Sequence, residues 1–94
     1  MTPERPVFVP EDGLILWQGR EIRFSQQQAQ LLGLLAQRRP HFLSRQRIAA
    51  VIPYDNITVV LCRIRKILDG VPVEIESRRG YGYRLASEIE IAPE

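Results

Sequence analysis

Two short stretches hold most of the chemistry this 94-residue sequence offers. They are RIRK at residues 63–66 and SRRGYGYRL at residues 77–85. Clustered arginines recognise anions rather than make bonds. A guanidinium offers two parallel N–H groups to a phosphate or to the O6 and N7 atoms of guanine, and a good pair of this kind gives about 1–3 kcal/mol of base discrimination. Bond-making residue types are scarce by comparison. One cysteine, Cys62, excludes an internal disulfide and a cysteine-based zinc cluster, and one histidine, His41, excludes a multi-histidine metal or catalytic site. No G-x-x-x-x-G-K, H-E-x-x-H or G-x-S-x-G pattern occurs. The sequence therefore predicts no catalytic residue, no metal and no cofactor, and a function other than an enzyme's.

A net charge of +2 conceals an asymmetry. Residues 44–85 carry Arg45, Arg47, Arg63, Arg65, Lys66, Arg78, Arg79 and Arg84 against Asp55, Asp69, Glu74 and Glu76, whereas the last nine residues carry Glu88, Glu90 and Glu94 with no base. A basic second half suits a polyanionic partner, and an acidic tail can screen it. Length and an apolar fraction of 45% fit one globular domain over residues 1–94. The opening MTPERPVFVP holds Glu4 and prolines where an export signal needs an apolar run, and no apolar stretch is long enough to span a bilayer. A cytoplasmic protein without membrane contact is expected.

The elements that must position these arginines follow from local patterns. Residues 1–24 read as short strands: VFV at 7–9, LILW at 14–17 and REIRF at 20–24, with Gln18-Gly19 as a tight hairpin turn. Residues 25–70 read as three helices. Ser25 and Gln28 form an S-x-x-Q capping box ahead of a stripe of Leu31, Leu32 and Leu35, and Arg38, Arg39 and Pro40 end that helix. Ser44 opens RQRIAAVI, which Pro53 stops. Asp55 or Asn56 is expected to cap ITVVLCRIRKILD, and Gly70 to terminate it. Residues 71–85 read as a β-hairpin turning near Gly80 to Gly82, and residues 86–94 as an acidic tail. Two helices and a short turn followed by a basic hairpin predict an α+β winged helix-turn-helix, with N-terminal antiparallel strands and RRGYG at the wing tip. Its glycines are expected to let the backbone approach a nucleic-acid groove.

The third helix has two faces. Ile57, Leu61, Ile64 and Leu68, flanked by Val60 and Ile67, form a core side. Val59, Cys62, Arg63 and Lys66 lie opposite, with Thr58 and Arg65 along one edge. A solvated basic face is the ordinary reading of such charges. Val59 favours a sharper one, because an exposed apolar residue there suits a thymine methyl in the major groove. The acids that would balance the face by i,i+4 pairing are also absent until Asp69. At the hairpin tip, Arg78 and Arg79 fit either a polar solvated turn or a narrow minor groove. Tyr83 reads as a packing residue whose hydroxyl reaches a phosphate, and Tyr81 as exposed. Arg45 and Arg47 begin the helix that crosses the DNA backbone in a helix-turn-helix, where phosphate contact and solvation are equally open. Trp17 reads as core and His41 as a surface loop residue.

From Ser25 to Leu85 the chain resembles the C-terminal winged-helix domain of OmpR/PhoB-type response regulators. SQQQAQLLGLL resembles that family's first helix, which opens T-x-x-E before paired leucines. LSRQRI looks like the opening of its second helix, LCRIRKIL like the end of its recognition helix, and SRRGYGYRL is similar to its wing motif T-V-R-G-x-G-Y-R. The resemblance implies base and phosphate contacts for Arg63 and Arg65, a groove-facing apolar role for Val59, a minor-groove role for Arg79 and a wing role for Tyr83. It aligns Arg45 with the arginine that begins the second helix.

There are departures. The sequence carries no receiver domain, PYDN is shorter than the loop through which the family often contacts RNA polymerase, and Asp55-Asn56 replaces an arginine-threonine pair. Sequence-specific binding of double-stranded DNA is therefore expected, as a repressor or partner-dependent regulator in preference to a direct recruiter of polymerase. A homodimer or tandem arrangement on DNA is compatible with it, and an edge strand from the tail or a frayed end are both open. The alternative is a winged helix that docks on RNA polymerase or another regulator.

Overall fold

A computed structural model describes residues 5–92. Three N-terminal strands, β1 (Val7–Val9), β2 (Leu14–Trp17) and β3 (Arg20–Arg23), form an antiparallel meander. The β2–β3 loop is the two-residue turn expected, with Gln18 at φ 50° and Gly19 at φ 73° between the paired Trp17 and Arg20. Positive φ at both central positions gives the turn the twist that continues right-handed strands. Phe8, Ile15 and Ile22 stand in register across the three strands and line the side packed on the helices.

Helix α1 (Gln26–Arg38) starts at a complete capping box. The Ser25 side chain accepts from the Gln28 backbone N–H, and the Ser25 N–H donates to Gln28 Oε1 at 2.8 Å. Leu31, Leu32, Leu35 and Ala36 are buried on its inner face. Helix α2 (Arg45–Ile48) is a single turn capped by Ser44, after which residues 49–52 continue as turns that bury Ile48 and Ile52. A 3₁₀ turn (Tyr54–Asn56) leads directly into α3 (Ile57–Ile67).

That entry corrects the expected cap. Asn56 has φ −90° and ψ −14°, and neither it nor Asp55 makes a side-chain cap bond. A capping side chain needs extended backbone at the cap, whereas the 3₁₀ turn has already made this backbone helical. Ile67 is corrected too, since at 37% exposure it belongs to the surface. Gly70 ends the helix at φ 83°, the left-handed stop expected of it.

The wing consists of β4 (Ile75–Arg78) and β5 (Gly82–Leu85), joined by Arg79-Gly80-Tyr81. A bridge ties it to the segment before α2: Leu43 N–H donates to the Tyr83 carbonyl at 2.7 Å, and Tyr83 N–H to the Leu43 carbonyl at 3.0 Å. Gly82, at φ 113°, makes this approach possible, because a Cβ there would lie 2.1 Å from the Leu43 carbonyl oxygen. The close approach expected of this glycine toward nucleic acid is thus made toward its own chain.

The tail returns to the first sheet. Strand β6 (Glu90–Ile91) pairs parallel with β1, with Glu90 N–H on the Pro6 carbonyl at 3.0 Å and Ala92 N–H on the Phe8 carbonyl at 2.8 Å. The sheet order is β3-β2-β1-β6, so the tail's edge strand forms within the chain and residues 90–92 are not frayed. One apolar core unites the elements, from Phe8 and Ile15 through Leu35, Ile57 and Ile64 to Leu85. Among the described residues no helix is long and apolar enough to cross a membrane.

Candidate nucleic-acid interface

Amphipathic spacing sets how α3 presents itself. Ile57, Val60, Leu61 and Ile64 are buried against the core, which turns Thr58, Val59, Cys62, Arg63 and Lys66 outward. Val59 is 49% exposed, an apolar side chain standing among cations. The side chains of Arg63 and Lys66 make no hydrogen bond or ion pair with any described residue, and the same holds for the side chains of Arg47 on α2 and Arg79 at the wing tip. Four cationic heads are therefore available to an outside anion.

Arg45, Arg65, Arg78 and Arg84 are engaged within the fold. Arg45 donates to the Tyr83 hydroxyl at 2.5 Å and to Thr58 Oγ1 at 3.0 Å, and its guanidinium lies 4.9 Å from the centre of the Tyr54 ring. Arg65 donates to Ser77 Oγ at 2.7 Å and to the Ile75 carbonyl at 3.0 Å. Arg84 holds Glu76 through two contacts of 2.7 Å, and Arg78 reaches the other oxygen of that carboxylate at 3.6 Å. Phe42 takes both guanidinium groups on its ring, Arg84 at 4.6 Å and Arg78 at 5.2 Å, with the Tyr81 ring centre at 5.9 Å. Such stacks contribute about 0.5–1 kcal/mol each at exposed sites.

The structure thus brings Thr58, Val59, Cys62, Arg63 and Lys66 onto one helix face, with Arg79 at the tip of the adjoining wing. Arg45, Arg65 and the Tyr83 hydroxyl make contacts within the fold, the hydroxyl accepting from Arg45 and keeping its own proton to donate. Tyr54, Phe42, Ser77, Glu76 and Arg84 shape the site without having been singled out from sequence. Only Glu76 and Arg84 had a usable signal, because they stand directly opposite once the hairpin is counted back from its tip. Between α2, the 3₁₀ turn and the wing lies an open cleft of about 650 Å³, whose lining includes Arg45, Tyr54, Arg79 and Tyr83.

A one-turn helix followed by a helix with a basic outer face, flanked by a two-stranded hairpin, makes this a winged helix-turn-helix domain. The family described as "Transcriptional regulatory protein, C terminal" matches residues 19–85, and the chain belongs to it, the C-terminal DNA-binding domains of OmpR/PhoB type. Its fold is similar to that of the DNA-binding domain of E. coli CadC, with a TM-score of 0.73 at 24% identity over 84% of this chain and 83% of that one. No curated protein sequence matches the chain. The domain is that of a DNA-binding transcription regulator.

Proposed function

We propose that this domain binds double-stranded DNA at a specific sequence, with α3 in the major groove and the wing tip in the adjacent minor groove. The observation that carries the reading is the outer face of α3, where exposed Val59 and Cys62 stand beside Arg63 and Lys66 and no described carboxylate neutralises either cation. Arg63 then reads a guanine through its paired N–H groups, and Val59 meets a thymine methyl. Lys66 and Arg47 grip phosphates, which fixes register without carrying sequence information. Arg79 enters the minor groove, where a narrow width concentrates negative potential. Thr58, Arg78 and Tyr83 frame the surface.

Repression, or action through a partner, fits better than direct recruitment of polymerase. The link between α2 and α3 is a tight 3₁₀ turn held between the fully buried Ile52 and Ile57, and offers no projecting loop. Selection from a random duplex library at moderate salt, followed by sequencing, tests the proposal. An enriched motif is expected, its length reporting one bound copy or tandem copies. Retention without enrichment, or no retention at all, would overturn sequence-specific binding.

A further inference from the structure

We infer that Arg45 and Arg65 are positioning residues that pin the two strands of the wing to α3, fixing the span between wing tip and recognition helix, and leaving the anion contacts to Arg47, Arg63, Lys66 and Arg79. The inference rests on the DNA-binding reading for its consequence, and on the intramolecular contacts for its substance.

A two-stranded hairpin is marginal by itself and must borrow rigidity from what it touches. The Leu43–Tyr83 backbone bridge ties β5 to the segment before α2, not to α3. The side-chain bonds to α3 come from the two arginines. Arg65, on α3, holds β4 through Ser77 Oγ and the Ile75 carbonyl. Arg45, on α2, holds β5 through the Tyr83 hydroxyl and α3 through Thr58 Oγ1, so one guanidinium joins three elements. The Tyr54 ring covers it at 4.9 Å. That task needs a planar fork: a lysine ammonium could neither stack flat on Tyr54 nor serve two acceptors at fixed angles. Each bond has a charged donor and a neutral oxygen acceptor, the stronger class of hydrogen bond.

Positioning and direct contact make opposite forecasts. If Arg45 gripped a phosphate, its loss would add to the loss of any other contact. If it places the wing, its loss matters only while the wing has a contact to deliver. The test uses Arg45→Ala, Arg45→Lys, Arg65→Met and Tyr83→Phe, each in the wild-type and Arg79→Ala backgrounds. Amide exchange across residues 75–85 is measured alongside affinity for the selected duplex over a range of salt. Tyr83→Phe removes one oxygen and keeps the ring, so it remains informative if Arg45→Ala does not fold.

The expected result is wing exchange about tenfold faster in Arg45→Ala, Arg65→Met and Tyr83→Phe, with α1 unchanged, since losing a charged hydrogen bond raises local opening by that order. Affinity should fall about tenfold in the wild-type background and less than twofold once Arg79 is gone, and Arg45→Lys should not restore it. Additive losses, or a salt slope lowered by about one when Arg45 is removed from the Arg79→Ala protein, would mark a phosphate contact and overturn the inference. If the wild-type protein enriches no duplex, the DNA reading falls and exchange alone decides. Unchanged wing exchange in these variants would then overturn the clamp.

Discussion

Replacing Gly82 by alanine probes how tightly the wing is held to the rest of the domain. The added Cβ would lie 2.1 Å from the Leu43 carbonyl oxygen, 2.7 Å from the Leu43 carbonyl carbon and 2.9 Å from Ser44 Cα. All three are backbone atoms that cannot swing aside. Relief requires β5 to back away from Leu43, which gives up the bonds of 2.7 Å and 3.0 Å between Leu43 and Tyr83. Each contributes about 0.5–1.5 kcal/mol net. Holding alanine at φ 113° adds about 1–2 kcal/mol. The sum is about 2–5 kcal/mol, a large part of the 5–15 kcal/mol typical of a domain. Gly80 is the control. It has φ 86° but nothing within 4 Å, so Gly80→Ala meets only the backbone cost of about 1 kcal/mol. Urea titration followed by the fluorescence of Trp17, the sole tryptophan, measures both. A Gly82→Ala protein no less stable than Gly80→Ala would refute the reasoning, because both variants meet a positive-φ cost and only Gly82→Ala also meets the Leu43 backbone.

Gly33 offers the opposite case. Its φ is ordinary and an added Cβ would sit 3.6 Å from the Phe8 ring, so Gly33→Ala should stabilise α1 by about 0.4–1 kcal/mol, and a lowered melting temperature would contradict this. Ser25→Ala removes the capping acceptor and should cost about 1 kcal/mol in the same titration, with Ser25→Gly costing only a few tenths; equal costs would show the cap to be idle. In duplex binding, Arg63→Ala should relax preference at one base position by about 1–3 kcal/mol, while Arg47→Ala should weaken all duplexes alike and reduce the salt slope by about one. An Arg63→Ala protein that retains the wild-type ranking of sites would remove that residue from base reading.

Features of this fold that were legible from sequence are those whose causes lie within a turn or two of chain. Ser25 and Gln28 bond each other, Gln18 and Gly19 make their own turn, and the burial of Ile57, Leu61 and Ile64 follows from helical spacing. Periodicity also gave the outward face of α3, because which side a residue occupies is a local property. It did not reveal which outward arginines already have partners. Arg45 meets Tyr83 across 38 positions and Arg65 meets Ser77 across 12, and no pattern in either segment specifies such a meeting. Gly82 was identified as a point of close approach, but the surface approached belongs to Leu43, a residue from another element. The missing cap at Asn56 has a similar origin: the 3₁₀ turn that displaces it depends on Ile52 and Ile57 both being drawn into the core.

The pairing of β6 with β1 determines how the domain would carry a mechanical load. The two strands run parallel, so tension between residue 5 and residue 92 pulls β1 and β6 along their length in opposite directions. The bonds from Glu90 to Pro6 and from Ala92 to Phe8 are then strained together, in shear rather than one after the other as in unzipping. Arg5 and Glu88, 3.2 Å apart, bear on the same junction. Tension reaches the helices and the wing only after this junction slips, so the surface carrying Arg63 and Arg79 keeps its shape while the ends are under strain.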